Sequence, residues 1–330
     1  MHDFSRRGLV RWAVASALTP IGLLAVGSAA AQTNWPDKPI KLVVGFTAGS
    51  ATDVTGRMFA QKFHEAWGQP VVVENIAGNS GAIGTDRVAK AAPDGYTLMW
   101  SGNAAITLLP SLQKLPFDPL KDFEHITMVL GTASVIIVNN DLPVKTLAEL
   151  VAYAKANPGK LSYGSPGVGT PQHVAGELLN TLAGIKMEHI PYRGANLTDV
   201  MSGVVPVGIQ NAGAAMPFVK DGRVRGIAIT SLKRATTAPD LPTVAEQGYP
   251  GFEALSWFGL MAPKGTPQPI LDKVRGVAMK AIVDPELKAK FAALGLEPIG
   301  STPDEMTKTM AADIPKWEKV IRDAGIPTQK

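Results

Sequence analysis

The chain has 330 residues, of which 45% are hydrophobic, 18% charged and 6% aromatic, so it is long enough for two domains or one large one. It contains no cysteine, which excludes disulfides, thiolate metal sites and cysteine nucleophiles. The formal net charge is only +4, and so small an excess predicts neither nucleic-acid binding nor attachment to a membrane.

The first 31 residues have the three parts of an export signal. Arginines within residues 5–11 form a basic segment, residues 12–26 are apolar, and residues 29–31 are small. The adjacent arginines resemble a twin-arginine signal, and an ordinary secretory signal with two chance arginines is the alternative. An uncleaved anchor is the lesser alternative, because the apolar stretch is short. We expect a signal peptide cleaved near Ala31/Gln32 and a periplasmic mature protein.

Strand-like and helix-like segments alternate along the mature chain. Strands are predicted at 41–46, 71–74, 96–100, 134–139, 161–164, 187–190, 204–209, 224–230 and 255–261. Helices are predicted at 53–66, 82–91, 146–156, 171–183, 198–203, 214–220, 266–282 and 302–322, with N-caps at Thr146, Thr266 and Thr302. This order is typical of an α/β fold with mostly parallel sheets and helices on both faces.

The alternation starts afresh in the middle of the chain, which indicates two lobes. The strands at 134–139 and 255–261 lie where the chain would pass from one lobe to the other and back. Two crossing segments allow the lobes to close about a hinge, as in periplasmic binding proteins. We expect one lobe from residues 32–133 plus 254–330 and a second lobe from residues 134–253.

Enzyme motifs are missing from the sequence. It has no G-x-S-x-G nucleophile elbow, no P-loop and no H-E-x-x-H zinc motif, and the glycines at 78–84 have the wrong spacing for dinucleotide binding. The five histidines, one of them in the leader, are too scattered to indicate a metal site. His125 is typical of a structural histidine, whereas His173 lies where a loop passes into a helix and is the better candidate for a site. We expect no catalytic residue, no metal and no cofactor.

Four loops of small residues lead into helix N-termini. They are FTAGSATD at 46–53, NSGAIG at 79–84, GSPGVGT at 164–170 and YRGA at 192–195. Each exposes backbone N–H groups and the positive end of a helix dipole, and its glycines admit a ligand close to the backbone. Each loop alone is explained as a helix cap, with Asp53 and Thr170 as N-cap residues. Four of them in two modules favour an anion site in the cleft.

Several motifs together resemble a known family. They are WPDKPI at 35–40, FTAGSATD at 46–53, VENIAGNSGAIG at 73–84, PDGYTL at 93–98, YGSPGVGT at 163–170, PYRG at 191–194 and PDLPTVAEQG at 239–248. Along essentially the whole mature chain, the sequence resembles the Bug-type extracytoplasmic solute receptors, the substrate-binding component of tripartite tricarboxylate transporters. The resemblance implies a two-lobed type II periplasmic binding protein fold that holds a small organic carboxylate between the lobes.

The resemblance also implies which residues contact the ligand. The first lobe would contribute Ala48, Gly49, Ser50, Asp53, Ser101 and Asn103, and the second lobe Ser165, Gly169, Thr170, His173, Tyr192 and Gly194. Asp53 is expected to cap and order its loop, because its carboxylate would repel a carboxylate ligand.

The sequence departs from the family pattern in its first loop and in its second lobe. Ser50 and Ala51 replace glycines, and a β-carbon at position 51 narrows the approach to the backbone. Gln210 replaces a common acidic residue, and with Asn211 it is a candidate to bind a neutral polar group. Arg193 would suit a second carboxylate, although a solvated arginine is the simpler interpretation.

The sequence predicts a periplasmic receptor that captures a small organic carboxylate and delivers it to the membrane subunits of a tripartite transporter. It is expected to act as a monomer. A ligand-presenting partner of a sensor protein shares the fold and is the alternative. A secreted α/β enzyme acting on a small acid is a weaker one, because no nucleophile–base pair is evident.

Overall fold

The computed structural model describes residues 34–192 and 196–329. The predicted export signal at 1–31 and three residues of the fourth loop, Arg193, Gly194 and Ala195, lie outside the described residues. Within the described part of the chain, no helix is both long enough and apolar enough to cross a membrane.

The first part of the chain contains four strands and three helices. In chain order they are β1 (Ile40–Val44), α1 (Ala51–Trp67), β2 (Val71–Asn75), α2 (Ala82–Ala89), β3 (Thr97–Gly102), α3 (Leu109–Leu112) and β4 (Phe123–Val138). A short 3₁₀ turn, Asn79–Gly81, precedes α2, and a π-helical turn, Ala104–Leu108, precedes α3.

The middle part continues the alternation, and the last part is mainly helical. The elements are α4 (Leu147–Ala156), β5 (Ser162–Ser165), α5 (Pro171–Ala183), β6 (Glu188–Pro191), α6 (Leu197–Ser202), β7 (Val207–Asn211), α7 (Ala212–Lys220), β8 (Arg225–Ile229), β9 (Leu255–Pro263), α8 (Gln268–Ala281), α9 (Pro285–Ala293), β10 (Glu297–Pro298) and α10 (Pro303–Asp323).

The ten strands form one continuous sheet with two differently built halves. Its order is β2-β1-β3-β9-β4-β7-β5-β6, and β8 and β10 also pair with β4. In the first half β1, β2 and β3 are parallel, and β9 runs antiparallel between β3 and β4. In the second half β5 is parallel to β6 and β7, and β4 is antiparallel to β7 and β8. The α/β prediction is therefore confirmed, but the expectation of mostly parallel sheets was wrong, because β4 and β9, which join the halves, and the short β10 pair antiparallel with their neighbours.

The strand β4 belongs to both halves of the sheet. Its residues up to Ala133 pair with β9, and from Ser134 onward they pair with β7. The chain returns to the first half at the start of β9, beside the same point of β4. Leu255 of β9 pairs with Ala133, and the preceding Ala254 still donates its N–H to the carbonyl of Thr230 in the second half over 2.9 Å. This is a two-lobed type II periplasmic binding protein fold whose hinge is made by two crossing strands.

Side-chain capping explains where five of the described helices begin, α1, α4, α5, α9 and α10. Thr146 and Thr170 accept hydrogen bonds from the N–H groups three residues later, and Thr302 with Glu305 forms a complete capping box. The predicted N-caps of α1 and α8 were wrong. α1 is capped by Ser50 and not by Asp53, and α8 begins at Gln268, beyond the predicted cap Thr266.

Apolar clusters among the described residues fill both halves. One joins β1, β3, β9 and α10 in the first half, and another lies under α6 and α7 in the second. In a third cluster, Leu108 of the π-helical turn and Trp317 of α10 pack with Val174 and Ile136 of the second half. The segment that follows β3 therefore lies against the second half, next to α5.

Candidate functional site

The strand ends of the two halves face one another across one stretch of β4. Gly102 of β3 and Leu130 of β4 both pair with Phe258, so the end of β3 is level with Leu130. In the second half, Asn211 at the end of β7 pairs with Ser134. Four residues of strand span about 13 Å. Because β3 runs along β4 and β7 runs against it, both carboxyl ends point at this stretch, where ligands of open α/β sheets bind.

The first loop, between β1 and α1, is ordered by the carboxylate of Asp53. This carboxylate accepts hydrogen bonds from the N–H of Gly49 over 2.8 Å and from Nδ2 of Asn75 over 2.9 Å. Arg57 completes the shell, with its Nη2 2.9 Å away. Burial opposes ionisation, but the hydrogen bonds from Arg57, Gly49 and Asn75 outweigh it and lower the pKa of Asp53 below its ordinary value. The carboxylate orders its loop, and the exposed residues Ala48 and Gly49 form the loop tip.

At the end of β3 the candidate residues Ser101 and Asn103 are both buried. The Asn103 side chain donates to the carbonyl of Leu255 over 2.8 Å and accepts from the N–H of Trp257 over 3.4 Å. Asn103 therefore fastens β3 to the crossing strand β9, a contact between residues far apart in the sequence. Ser101 donates to the carbonyl of Gly102 over 3.2 Å.

The second loop, residues 165–170, is held by its own hydroxyl groups. The Ser165 hydroxyl accepts from the N–H of Gly167 over 3.2 Å, and the Thr170 hydroxyl donates to the carbonyl of Gly167 over 2.7 Å. Thr170 is also the N-cap of α5, because its hydroxyl accepts from the N–H of His173. Gly169 has a φ of 75°, a value that favours glycine. This loop opens α5, so it has the positive end of a helix dipole behind it.

Two stacked histidines support the second loop from behind. The N–H of Gly169 donates to Nδ1 of His173 over 3.1 Å, and Nε2 of His189 lies 2.7 Å from the Ser165 hydroxyl. The imidazole rings of His173 and His189 stack with their centroids 3.8 Å apart. Burial, aided by the neighbouring His189, lowers the pKa of His173 to about 3, and burial lowers the pKa of His189 to about 4. Both rings are therefore neutral at pH 7.

His189 was missed by the sequence analysis. It lies within the strand predicted at 187–190, and no motif marks it. Its bond to Ser165 depends on the parallel pairing of β5 with β6, which brings residues 24 positions apart into contact.

Tyr192 lies at the end of β6, beside the second loop. Its backbone N–H donates to the carbonyl of Ser165 over 3.0 Å, and its hydroxyl donates to the carboxylate of Asp199 over 2.7 Å. Burial and the bond to Asp199 raise the pKa of Tyr192 to about 12, so the phenol stays protonated. The neighbouring candidate Gly194 lies outside the described residues.

Amide side chains gather at the end of β7. Gln172 in the first turn of α5 donates to the hydroxyl of Ser134 over 3.2 Å and to the side-chain oxygen of Asn211. On the other face of the sheet, Gln210 donates to the side-chain oxygen of Asn196 over 2.8 Å. The candidates Gln210 and Asn211 thus lie at the strand end that faces the first half.

The two halves approach closely beside the second loop. A β-carbon placed on Gly169 would lie 2.8 Å from Cδ1 of Leu112 in α3. α3 follows the end of β3, so the second loop lies next to a segment of the first half. Loops from both halves therefore border the same region.

A separate cavity of about 910 Å³ lies along the outer face of α5. Its walls come from α5, β6 and the end of α10, and include His173, Glu177, His189 and Ile326. None of residues 46–53 lines it. Val168 of the second loop also lines it, so this loop and the stacked histidines both border the cavity. In the described part of the chain, no group of three or more His, Asp or Glu side chains is arranged to hold a metal ion.

The crossing strands and the facing loops define a two-lobed solute-binding protein of the periplasmic type. Residues 55–326 match the family described as the tripartite tricarboxylate transporter family receptor, and the chain belongs to this family.

Relatives match over nearly the whole chain. Protein BugT of Bordetella pertussis is 36% identical over 312 residues, which cover 92% of this chain and 95% of that protein. The structure of the periplasmic binding protein BugD is 35% identical with a TM-score of 0.72, covering 89% of this chain and 100% of that one. The R. palustris protein Rpa4515 with adipate is 34% identical with a TM-score of 0.75, covering 89% of this chain and 99% of that one. Receptors of this family have therefore been solved with a bound carboxylate.

Proposed function

We propose that this protein captures a small organic carboxylate between its lobes in the periplasm and delivers it to the membrane subunits of a tripartite transporter. The observation that carries the proposal is the convergence of strand ends from both halves on residues 130–134 of β4, with a loop that leads into a helix N-terminus at each side. Bound adipate in Rpa4515 and bound malate in MatC of Rhodopseudomonas palustris, a relative 29% identical, add support.

In this proposal, backbone N–H groups and hydroxyls bind the ligand's oxygens. The proposed contacts are Ala48, Gly49, Ser50, Ser101, Ser165, Gly169, Thr170, Tyr192, Gly194, Gln210 and Asn211. Asp53, Asn103 and His173 act by holding their segments in place, because their side chains are engaged with the protein. A hydrogen bond to a charged group contributes about 1.5–3 kcal/mol, and a micromolar Kd needs about 8 kcal/mol, so about four or five donors suffice after ordering costs.

The proposal extends to the chain's organisation and processing. Residues 1–31 are a signal peptide removed near Ala31/Gln32, and the mature protein is a monomer. Residues 32–133 plus 254–330 form one lobe and residues 134–253 the other. Closure about the crossing strands would bring the two loops onto the ligand.

Titration of the purified mature protein with a panel of small carboxylic acids tests the proposal. One acid should bind saturably by calorimetry, be recovered unchanged, and stabilise the fold by about 2.7 kcal/mol at a hundredfold excess over its Kd. Consumption of the acid would point to an enzyme instead. A panel in which no acid binds or raises the melting temperature would contradict the proposal.

A further inference from the structure

The end of β7 is unusually rich in neutral amide side chains. Gln172, Asn196 and Gln210 are only 3%, 1% and 3% exposed, and Asn211 is half-buried. Consecutive strand residues point to opposite faces, so Gln210 and Asn211 flank the strand end from its two sides. Each has an amide partner on its own side, Asn196 and Gln172 respectively. The group therefore surrounds the strand end that faces the crossing stretch of β4.

The hydrogen bonds among these four amides use only some of their donors and acceptors. An amide has two N–H donors and a carbonyl oxygen with two lone pairs. Among the described residues, Gln172 and Gln210 donate but their carbonyl oxygens accept nothing. Nδ2 of Asn196 is buried without a partner, and Nδ2 of Asn211 donates to no described residue. Donors and acceptors of this group therefore both remain available, and the buried Nδ2 of Asn196 is costly to leave unpaired unless something binds it.

Buried charged side chains are scarce in the described part of the chain. Among the described side chains that are buried, Asp53 is the one carboxylate, and none is a lysine or an arginine. Asp53 is already paired with Arg57 in the first half of the sheet. Beside these amide oxygens, a buried carboxylate would lose its hydration without gaining a buried cation from the described residues.

From this arrangement we infer that the amide group at the end of β7 selects ligands whose second polar end is neutral, a hydroxyl or a carboxamide, over ligands with a second carboxylate. The inference rests on the proposed carboxylate-receptor function, in which the N–H groups of the loops bind the first carboxylate. A hydroxyl or a carboxamide donates and accepts, so it complements amides whichever way their planes are turned. A second carboxylate only accepts, and it would face the open carbonyl oxygens of Gln172 and Gln210.

Matched acids test this selectivity. For five carbons the set is pentanoate, 5-hydroxypentanoate, glutaramate and glutarate, and analogous sets of three, four and six carbons cover other lengths. Calorimetric titration should give the lowest Kd for a hydroxy acid or an amide acid, about tenfold below both the dicarboxylate and the unsubstituted acid of equal length.

Two other results would overturn the inference in different ways. If dicarboxylates or unsubstituted acids bind as tightly as their hydroxy and amide counterparts at every length, the selectivity is wrong and the receptor function stands. If no acid in any set binds, the proposed function fails and the inference fails with it.

A pair of substitutions connects the selectivity to the amide group. Gln210→Glu keeps the shape but replaces the amide with an acceptor-only carboxylate, so the Kd of the preferred acid should rise about tenfold or more. Gln61→Glu is the control, because Gln61 is exposed on α1, ten residues from its first residue or about 15 Å along the helix. It should leave every Kd unchanged.

Gln210→Leu provides a second readout that does not depend on absolute affinity. This substitution removes both the donor and the acceptor of the side chain. The Kd of the unsubstituted acid divided by the Kd of the hydroxy acid should therefore fall towards one. Circular dichroism establishes that each variant is folded before its ratio is compared. A folded Gln210→Leu or Gln210→Glu protein with the native ratio would contradict a role for this side chain.

Discussion

The N–H of Gly169 donates to Nδ1 of His173, so the second loop is bonded to the first turn of the helix that it opens. This bond requires an acceptor at position 173, and the proton of the neutral ring must therefore be on Nε2. The loop's N–H groups are proposed ligand contacts, so the order of the loop and the affinity of the site depend on this acceptor.

Two substitutions of His173 should distinguish the contribution of its hydrogen-bond acceptor from that of its imidazole ring. His173→Leu removes the acceptor and leaves the Gly169 N–H unpaired, which should destabilise the protein by about 1–3 kcal/mol and weaken ligand binding. His173→Asn offers a side-chain oxygen and should recover part of the binding. Chemical denaturation and calorimetry measure both effects. Equal affinities for the two variants would show that the acceptor is unimportant.

Acid should destabilise the fold through the stacked histidines. The folded pKa values of about 3 for His173 and about 4 for His189 lie below the ordinary value of 6.5, so the unfolded state binds protons first as the pH falls. The stabilisation is therefore complete above pH 6.5 and is lost progressively between about pH 6.5 and the folded values.

Urea unfolding at pH 7, 6, 5 and 4 measures this dependence. His125, whose pKa burial also lowers, adds to the slope in the native protein, so the comparison uses a variant. His189→Gln keeps a polar side chain beside Ser165 and should flatten the profile over this range. If the stability of the variant depended on pH as steeply as that of the native protein, the acid sensitivity would not come from the stacked histidines.

Asp53 should be important for stability and binding although it makes no proposed ligand contact. Asp53→Asn keeps the shape but loses the ion pair with Arg57 and one acceptor for the bonds from Gly49 and Asn75, so it should cost about 1–3 kcal/mol and loosen the first loop. Asp304→Asn is the matched control, an exposed carboxylate that is also in the first turn of a helix. Equal denaturation midpoints for the two variants would contradict this role.

The contact between Gly169 and Leu112 predicts a steric effect across the lobes. Gly169→Ala places a β-carbon 2.8 Å from Leu112 and strains a positive φ, so it should weaken ligand binding as well as stability. Gly159→Ala is the control, because its φ of 76° is nearly the same and nothing lies within 4 Å of the added carbon. Calorimetry should find a loss of affinity only for Gly169→Ala, and Leu112→Ala should restore part of it. Equal affinities for the two alanine variants would rule out a cross-lobe clash.

Local sequence signals predicted most elements, but they missed the helices α3 and α9, the short strand β10 and the first half of β4. α5 was predicted with its observed bounds, because Thr170, Pro171 and Gly184 mark its cap, its first turn and its end. The strand β4 was predicted only from Ser134 onward. Its first half contains Glu124 and His125, polar side chains that interrupt the apolar pattern expected of a buried strand.

The sequence predicted which loops form the candidate site, but it did not predict the hydrogen bonds that hold these loops in place. The first and second loops were expected to face each other, and the register through Phe258 brings the strand ends to one stretch of β4. The structural bond of Asn103 and the support by His189 depend on long-range pairing that no local pattern encodes. For the same reason the sequence could not distinguish residues that hold a loop from residues that present it.

The strand β4 has a consequence for the way the molecule opens. Halves joined by loose linkers rotate with little resistance, but here the joint lies inside a strand that is hydrogen-bonded to β9 on one side of Ala133 and to β7 from Ser134 onward. Any rotation must be absorbed by backbone torsions between two fixed ladders, and it therefore meets an elastic restoring force. In the proposed closure on a ligand, β4 would therefore have to bend between Ala133 and Ser134, so the restoring force of this strand would oppose closure and favour release.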